Sequence, residues 1–143
     1  MISSSVNVQI VGPGIWYVLH KLSANAQTAS TVKTFTDFLT FLAEYFPCEE
    51  CRSHIQKFLM SHPLIEYKDI VDDSGKNIGY LQMTWFLHSL VNKRLGKPFF
   101  SFEDAKLLYF AESCKEECPG LIQETTPTPP STNRSIKQKI RIN

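Results

Sequence analysis

The segment FTDFLTFLAEYFPCEEC, residues 35–51, joins an amphipathic stretch to a pair of cysteines. Apolar side chains recur at helical spacing through residues 31–46, behind polar Ser30 and Thr31: Val32, Phe35, Phe38, Leu39, Leu42 and Phe46. Pro47 ends this helix and, because proline suits the first helical position, opens another that holds Cys48 and Cys51. Such a CxxC is half of a zinc site, a redox-active disulfide, or a chance pairing.

Other helices are predicted on both sides of this segment. Gly12-Pro13-Gly14 is a helix breaker, so a helix begins just after it. Its apolar positions are Ile15, Trp16, Leu19, Leu22 and Ala26. The cysteine-bearing helix, with Ile55, Phe58 and Leu59, stops near residues 61–63. Residues 62–79 form a connection that contains the turn sequence DDSGKN.

Two more helices follow the connection. One runs from about Tyr80 to Leu95, and Gly96 stops it. Ser101, with Asp104 three residues on, caps a fifth helix that extends to about residues 114–118. Its inner face is predicted to contain Ala105, Leu108, Tyr109 and Ala111.

The predicted fold class is therefore all-α, a helical bundle with an extra C-terminal helix, because no strand pattern or internal repeat is evident. Residues 1–11 are a lead-in and residues 12–120 a single domain. Residues 121–143 are rich in proline, threonine and basic side chains, which predicts a disordered polar and basic tail.

Composition and charge argue against some classes of function, such as nucleic-acid binding. The chain has 143 residues, 43% apolar and 20% charged, with a formal net charge of +1. These values fit a globular domain and offer no field that attracts nucleic acid. The start lacks the pattern of a signal peptide, and no apolar run is long enough to span a membrane. We expect a cytoplasmic, reducing setting, where paired cysteines usually bind metal or perform redox chemistry.

Three readings of the cysteines remain open at this point. A helix N-terminus favours the thiolate, so Cys48 and Cys51 suit a disulfide that closes and reopens. Zinc needs four ligands, and Cys114 and Cys118 supply the other two if the fifth helix ends beside the third. A thioredoxin-like site requires a βαβ unit, which the sequence does not predict.

Polar and aromatic residues on two other helices suggest a pocket. His88 and Asn92 lie at i and i+4 on the fourth helix, and Trp16 and His20 repeat that spacing on the first. Buried histidine and asparagine side chains need polar partners. Taken singly, each is more often an ordinary core residue. Together with the CxxC they indicate a pocket for a flat, hydrogen-bonding ligand such as a flavin.

Three segments carry a resemblance to the Erv/ALR family of FAD-linked sulfhydryl oxidases. They are GPGIWYVLH at residues 12–20, FPCEECRSHIQKFL at 46–59 and LHSLVNKRLGKP at 87–98. The resemblance covers residues 12–110 and implies a four-helix bundle with FAD at its mouth, a short fifth helix and a homodimer. Small family members occur in large DNA viruses, and the short chain looks similar to these.

The resemblance implies a thiol oxidase that forms disulfides in partner proteins and reduces O₂ to hydrogen peroxide. Cys48 is then the interchange thiol that meets the dithiol substrate, and Cys51 is the thiol beside the flavin. The FAD-binding positions carried over from the family are Gly12, Trp16, His20, His88, Val91, Asn92, Lys97 and Tyr109. His54 is expected to be a pocket neighbour. No metal is expected, and the zinc-binding helical module remains the alternative.

Several positions depart from the family pattern. Ser89 replaces an asparagine, Met83 a tryptophan, Asn25 a tyrosine and Pro13 an arginine. The cysteines that flank the fourth helix in cellular members are also absent. Many family members carry a second, mobile cysteine pair, and Cys114 and Cys118 are candidates for this shuttle disulfide, which would relay electrons from thiol proteins or a thioredoxin-like partner.

Overall fold

A computed structural model describes residues 6–111 of the chain and shows an all-α fold over that range. Its helices are α1 (Val8–Ala24), α2 (Ala29–Tyr45), α3 (Glu49–Ser61), α4 (Gly79–Arg94) and α5 (Phe102–Tyr109). A short 3₁₀ turn, Leu64–Glu66, follows α3. Extended pairing in this range is limited to one isolated bridge between Val71 and Asn77. The predicted fold class is confirmed.

The start of α1 differs from the prediction. The helix begins at Val8, and Pro13 lies inside it. The Asn7 side chain caps the helix by accepting a hydrogen bond from the Gln9 backbone N–H. A proline ring normally clashes with the Cβ of the preceding residue in a helix, but Gly12 has none. The helix therefore continues through the sequence that was expected to break it.

Helices α2 and α3 meet near the cysteines. Thr28 caps α2 and forms a capping box with Thr31, so the helix begins two residues earlier than predicted. Pro47 does not open α3. Instead, Cys48 is the N-cap, with extended backbone, and α3 begins at Glu49. The proline therefore lies in the short corner between the two helices.

The connection from α3 to α4 is held by a network that we call the polar junction, formed by Gln27, Asn77 and Gly79. The Gln27 side chain accepts a hydrogen bond from the Asn77 N–H at 2.8 Å and donates one to the Asn77 carbonyl at 2.8 Å. The Asn77 amide donates to the Tyr67 and Lys68 carbonyls. At Gly79 the backbone passes so close to Tyr67 that no Cβ fits.

The predicted ends of α4 and α5 are partly confirmed. Gly96 adopts a positive φ of 67° and terminates α4, and Ser101 caps α5. Leu108 was predicted to face inward and is 49% exposed, whereas Ala105 and Tyr109 are buried. Helix α5 ends at Tyr109, short of the predicted end at residues 114–118, and Ala111, which was predicted to face inward, is exposed beyond it. Cys114, Cys118 and residues 121–143 lie outside the described residues.

The bundle packs α1 against α2, α4 and α5, and α2 against α3. Its main core contains Leu19, Phe35, Leu39, Leu42, Met83 and Leu87, all almost fully buried. A second, smaller cluster joins Leu81 of α4 to Ala105 and Tyr109 of α5. No helix in residues 6–111 is long and apolar enough to cross a membrane.

Candidate active site

The two cysteines at the start of α3 form a disulfide. The Cα atoms of Cys48 and Cys51 are 5.2 Å apart, and their sulfur atoms are bonded. The Cys51 backbone N–H donates a hydrogen bond to the Cys48 Sγ at 3.2 Å. This sulfur therefore occupies the place of an N-cap acceptor, where the helix dipole favours negative charge. A thiolate formed there on reduction is stabilised by the same N–H group.

The disulfide borders an apolar cavity of about 260 Å³, which we call the redox pocket. All four bundle helices and the corner before α3 contribute to it. Its walls are Val8, Gly12, Ile15, Trp16 and Leu19; Leu42 and Phe46; Cys48, Glu50, Cys51, His54 and Ile55; and Leu87, Val91, Arg94 and Leu95. Such a concave, largely apolar site with few polar groups is typical of a ligand pocket.

An aromatic cluster links this pocket to α5. The rings of Trp16 and His88 stack at 4.1 Å with an interplanar angle of 9°. His20 packs edge-on against His88 and lies 4.7 Å from the Tyr109 ring. The His20 Nδ1 is 2.7 Å from the Trp16 carbonyl oxygen, within hydrogen-bonding distance. The predicted polar and aromatic residues of three helices therefore come together.

Burial keeps both histidines of the cluster neutral. It lowers the pKa of His20 to about 4, against a smaller opposing effect of the hydrogen bond to Trp16. The pKa of His88 is also lowered to about 4, mainly by burial and to a smaller extent by repulsion from His20, when that ring is protonated, and from Lys97. Burial raises the pKa of Tyr109. At neutral pH these side chains form an uncharged surface with hydrogen-bonding atoms.

The structure assembles most of the predicted site residues. Gly12, Trp16 and Val91 line the redox pocket with both cysteines. His20, His88 and Tyr109 belong to the adjoining cluster. Asn92 and Lys97 lie at the end of α4, where the Lys97 N–H donates to the Asn92 carbonyl at 2.9 Å.

Sequence reasoning missed two charged residues of the pocket and gave a third, His54, only a minor place. Glu50 and Arg94 line it, and neither was a candidate. His54 was predicted only as a neighbour, yet it lies in the wall and its Nδ1 is buried without a hydrogen-bond partner. The sequence did contain a signal for this position: His54 is three residues after Cys51, and residues three apart share a helix face.

The departures from the family pattern have local explanations. The Ser89 hydroxyl donates a hydrogen bond to the Trp85 carbonyl at 2.8 Å, so its polar group is paired within α4. Met83 is fully buried in the core. The Trp85 indole N–H donates to the Phe100 carbonyl at 2.7 Å, which ties α4 to the segment before α5. Asn25 is the C-cap of α1.

The fold and the site define an all-α protein with a CxxC disulfide beside an apolar ligand pocket. The sequence profile of the Erv1 / Alr family matches residues 13–115. This match covers most of the chain, which therefore belongs to the Erv1 / Alr family.

Curated relatives are similar over the same region. The chain is 24% identical to the FAD-linked sulfhydryl oxidase ERV1 of Oryza sativa subsp. japonica, over 74% of this chain and 52% of that protein. It is 26% identical to the Arabidopsis thaliana protein of the same name, over 78% and 56%. It is 27% identical to the FAD-linked sulfhydryl oxidase of African swine fever virus, over 68% and 78%. The chain thus spans about half the length of the two plant relatives.

Proposed function

We propose that this protein is an FAD-dependent thiol oxidase that forms disulfide bonds in partner proteins. The observation that carries the proposal is the Cys48–Cys51 disulfide in the wall of an apolar cavity. A disulfide that exchanges with substrates and also borders a ligand pocket suits electron transfer from thiols to a bound group. The family and the names of the relatives support the same activity.

The residues present fit FAD. A flat ring requires apolar walls, and the redox pocket supplies them. The partnerless Nδ1 of His54 is available to a polar atom of a ligand. Neutral His20 and His88 beside Trp16 and Tyr109 offer stacking and hydrogen bonds. The side chains that would hold FAD are Gly12, Trp16, His20, His88, Val91, Asn92, Lys97 and Tyr109, and no metal is required.

The chain's own chemistry is thiol–disulfide exchange. A thiolate of the substrate attacks the Cys48 sulfur, which gives a mixed disulfide and releases Cys51 as a thiol or thiolate. The second substrate thiolate then attacks the substrate sulfur of this mixed disulfide, and Cys48 leaves reduced. The chemistry that FAD would supply when bound is the oxidation of the Cys48/Cys51 dithiol back to the disulfide, with O₂ as the final electron acceptor and hydrogen peroxide as the product. The apolar walls exclude water while Cys51 is reduced.

Further features of the proposal concern partners and setting. The substrates are thiol-containing proteins or a thioredoxin-like relay, and Cys114 and Cys118 serve as a shuttle pair. The protein acts as a homodimer. Its working compartment is the cytoplasm, or the virion and host cytoplasm if the source is viral; the similarity to a viral oxidase supports the second setting.

The test is the visible absorption spectrum of the purified full-length protein before and after dithiothreitol is added in air. We expect flavin absorbance near roughly 450 nm that bleaches and returns while oxygen is consumed. Protein that stays colourless after FAD is added back, and contains stoichiometric zinc, would refute the oxidase and establish the alternative zinc-binding module.

A further inference from the structure

His54 occupies an unusual position on α3. It lies one helical turn beyond Cys51 and lines the redox pocket with it. Its Nδ1 is buried and has no hydrogen-bond partner, the one such side-chain nitrogen or oxygen among residues 6–111. Buried polar atoms in native proteins are almost always paired, so an unpaired one beside a reactive group points to a functional role.

A second cavity begins where the first one ends. A cleft of about 350 Å³ lies between α3 and α4 and is also lined by Lys57, Phe58, Ser61, His62 and Leu90. The redox pocket and this cleft share four lining residues, namely His54, Leu87, Val91 and Arg94. Lys57, Ser61 and Leu90 are exposed, so the cleft opens to water. His54 therefore stands in the wall between an apolar redox site and solvent.

The proposed chemistry requires a proton to leave the pocket. Wherever exchange leaves Cys51 as the protonated thiol, that proton has to be removed, because only the thiolate is a good electron donor. Of the four shared residues, Leu87 and Val91 do not titrate and an arginine remains protonated. Histidine is the one side chain among them whose ring nitrogens can both accept and donate a proton.

We propose that His54 is a catalytic residue that accepts the proton of the Cys51 thiol and releases it to water through the α3–α4 cleft. In the first step the S–H bond breaks and an N–H bond forms at His54, which leaves a thiolate beside an imidazolium. In the second step that N–H bond breaks and a water molecule in the cleft takes the proton. No electron moves in either step. The need for this relay rests on the proposed oxidase function.

The charged groups around His54 come from two helices. Glu50 on α3 and Arg94 on α4 line the redox pocket, and Lys57 and His62 line the cleft. The pocket walls from α1 and α2 carry no acidic or basic side chain. His54 is therefore bordered by one acidic side chain, Glu50, and two basic ones, Lys57 and Arg94.

The test measures the Cys51 thiol directly, without requiring turnover. Full-length Cys48→Ser protein is alkylated with iodoacetamide from pH 5 to 10, and the peptide that carries Cys51 is quantified by mass spectrometry. Adding His54→Asn is expected to raise the alkylation midpoint by about one pH unit, which lowers the rate at pH 7 about tenfold. His54→Gln provides a second variant, and circular dichroism verifies that each is folded.

His62→Asn is the matched control, because His62 lines the cleft but not the redox pocket. Its midpoint should equal that of Cys48→Ser alone. An unchanged midpoint in the His54 variants, or an equal shift in the His62 variant, would overturn the proposal. A shift confined to His54 in a protein that never consumes oxygen would support proton transfer from Cys51 and refute only the oxidase.

Discussion

The polar junction and the redox pocket are formed by the same helices but differ in how well their polar groups are paired and their space is filled. The junction lies where α1 ends and α4 begins, and the side-chain amides of Gln27 and Asn77 are paired there through short hydrogen bonds. The redox pocket lies between the first half of α1 and the last half of α4, and it contains an empty volume and the unpartnered His54 Nδ1. At the junction the polar side chains are hydrogen-bonded and closely packed, whereas the redox pocket contains a cavity and an unpaired polar nitrogen.

This difference separates stability from function. Pairing and close packing at the junction restrict the connection between α3 and α4 to one conformation. At the redox pocket, the cavity and the unpaired nitrogen do not stabilise the fold but are available to a ligand and to proton transfer. Substitutions at the junction should therefore affect unfolding, whereas those at Cys48, Cys51 and His54 of the redox pocket should affect chemistry.

The largest effect is expected from Cys48→Ser or Cys51→Ser. Either change removes the exchangeable disulfide, so dithiothreitol oxidation should fall by at least about a thousandfold. Bound flavin and helical content should remain close to those of the unchanged protein, because the pocket walls are intact. Oxygen-electrode assays and absorption spectra provide the measurement. Normal oxidase activity in either variant would refute the assigned roles.

At the polar junction, Gly79→Ala should cause the largest loss of stability. The new Cβ would collide with the Tyr67 carbonyl oxygen and lie 2.9 Å from the Ile70 Cβ. Neither atom is the end of a flexible side chain, so the free energy of unfolding should fall by about 3 kcal/mol. Urea unfolding measures it.

Gly14→Ala is the matched control for Gly79→Ala. Gly14 is also helical, but a Cβ there meets no atom within 4 Å. Alanine is the better helix former, so this change should leave stability equal or raise it by about 0.5–1 kcal/mol. If both variants unfold at the same urea concentration, close packing at Gly79 is not what holds the junction.

Asn77→Ala and His54→Asn compare a satisfied polar side chain with an unsatisfied one. The first change leaves the Lys68 carbonyl and the Tyr80 N–H without their partners, which should cost about 2 kcal/mol. The second removes no hydrogen bond, so its effect on stability should stay within about 0.5 kcal/mol. Equal losses in urea unfolding would contradict the distinction between the two regions.

The sequence predicted the helical bundle because its signals are local. The spacing of Phe35, Leu39 and Leu42 and the caps at Gly96 and Ser101 depend on neighbours in the chain. The breaker sequence at residues 12–14 was a misleading local signal, and other local features explain why. The Asn7 cap and the missing Cβ of Gly12 allow α1 to include Pro13.

The site was predictable in part for the same reason. The cysteine pair and the helical spacing of Trp16 and His20 can be found in the sequence, and the structure places them together. The unpaired state of the His54 Nδ1 cannot be predicted from the sequence, because it depends on which groups α4 brings near. The junction was also missed, since Gln27 and Asn77 are 50 residues apart.

Acid should destabilise the protein through the two buried histidines of the aromatic cluster beside the redox pocket. His20 and His88 have pKa values lowered to about 4 by burial, so the unfolded chain binds protons that the native protein refuses. Stability should therefore fall as the pH drops from about 6.5 towards 4. Urea midpoints at pH 7.5, 6 and 5 would show this.

The double variant His20→Gln/His88→Gln isolates this contribution from that of the carboxylates. Its stability should fall less over the same pH range, because glutamine does not titrate. Gln27 and Asn77 do not titrate either, so the junction adds no such dependence. If the double variant and the unchanged protein lose equal stability between pH 7.5 and 5, the buried histidines are not the cause.

The smallest effect is expected from Cys114→Ser, which tests whether the electron path includes residues beyond the described range. A small dithiol reaches Cys48 without help, so dithiothreitol oxidation should be unchanged. If Cys114 and Cys118 form the proposed shuttle pair, a reduced protein substrate depends on its high effective concentration, and oxidation of that substrate should slow by about threefold or more. The measurement is the rate of oxygen consumption by the variant relative to the unchanged protein, with each of the two substrates. If this ratio is the same for both substrates, Cys114 is not in the electron path and the chemistry is confined to the Cys48–Cys51 pair at the pocket.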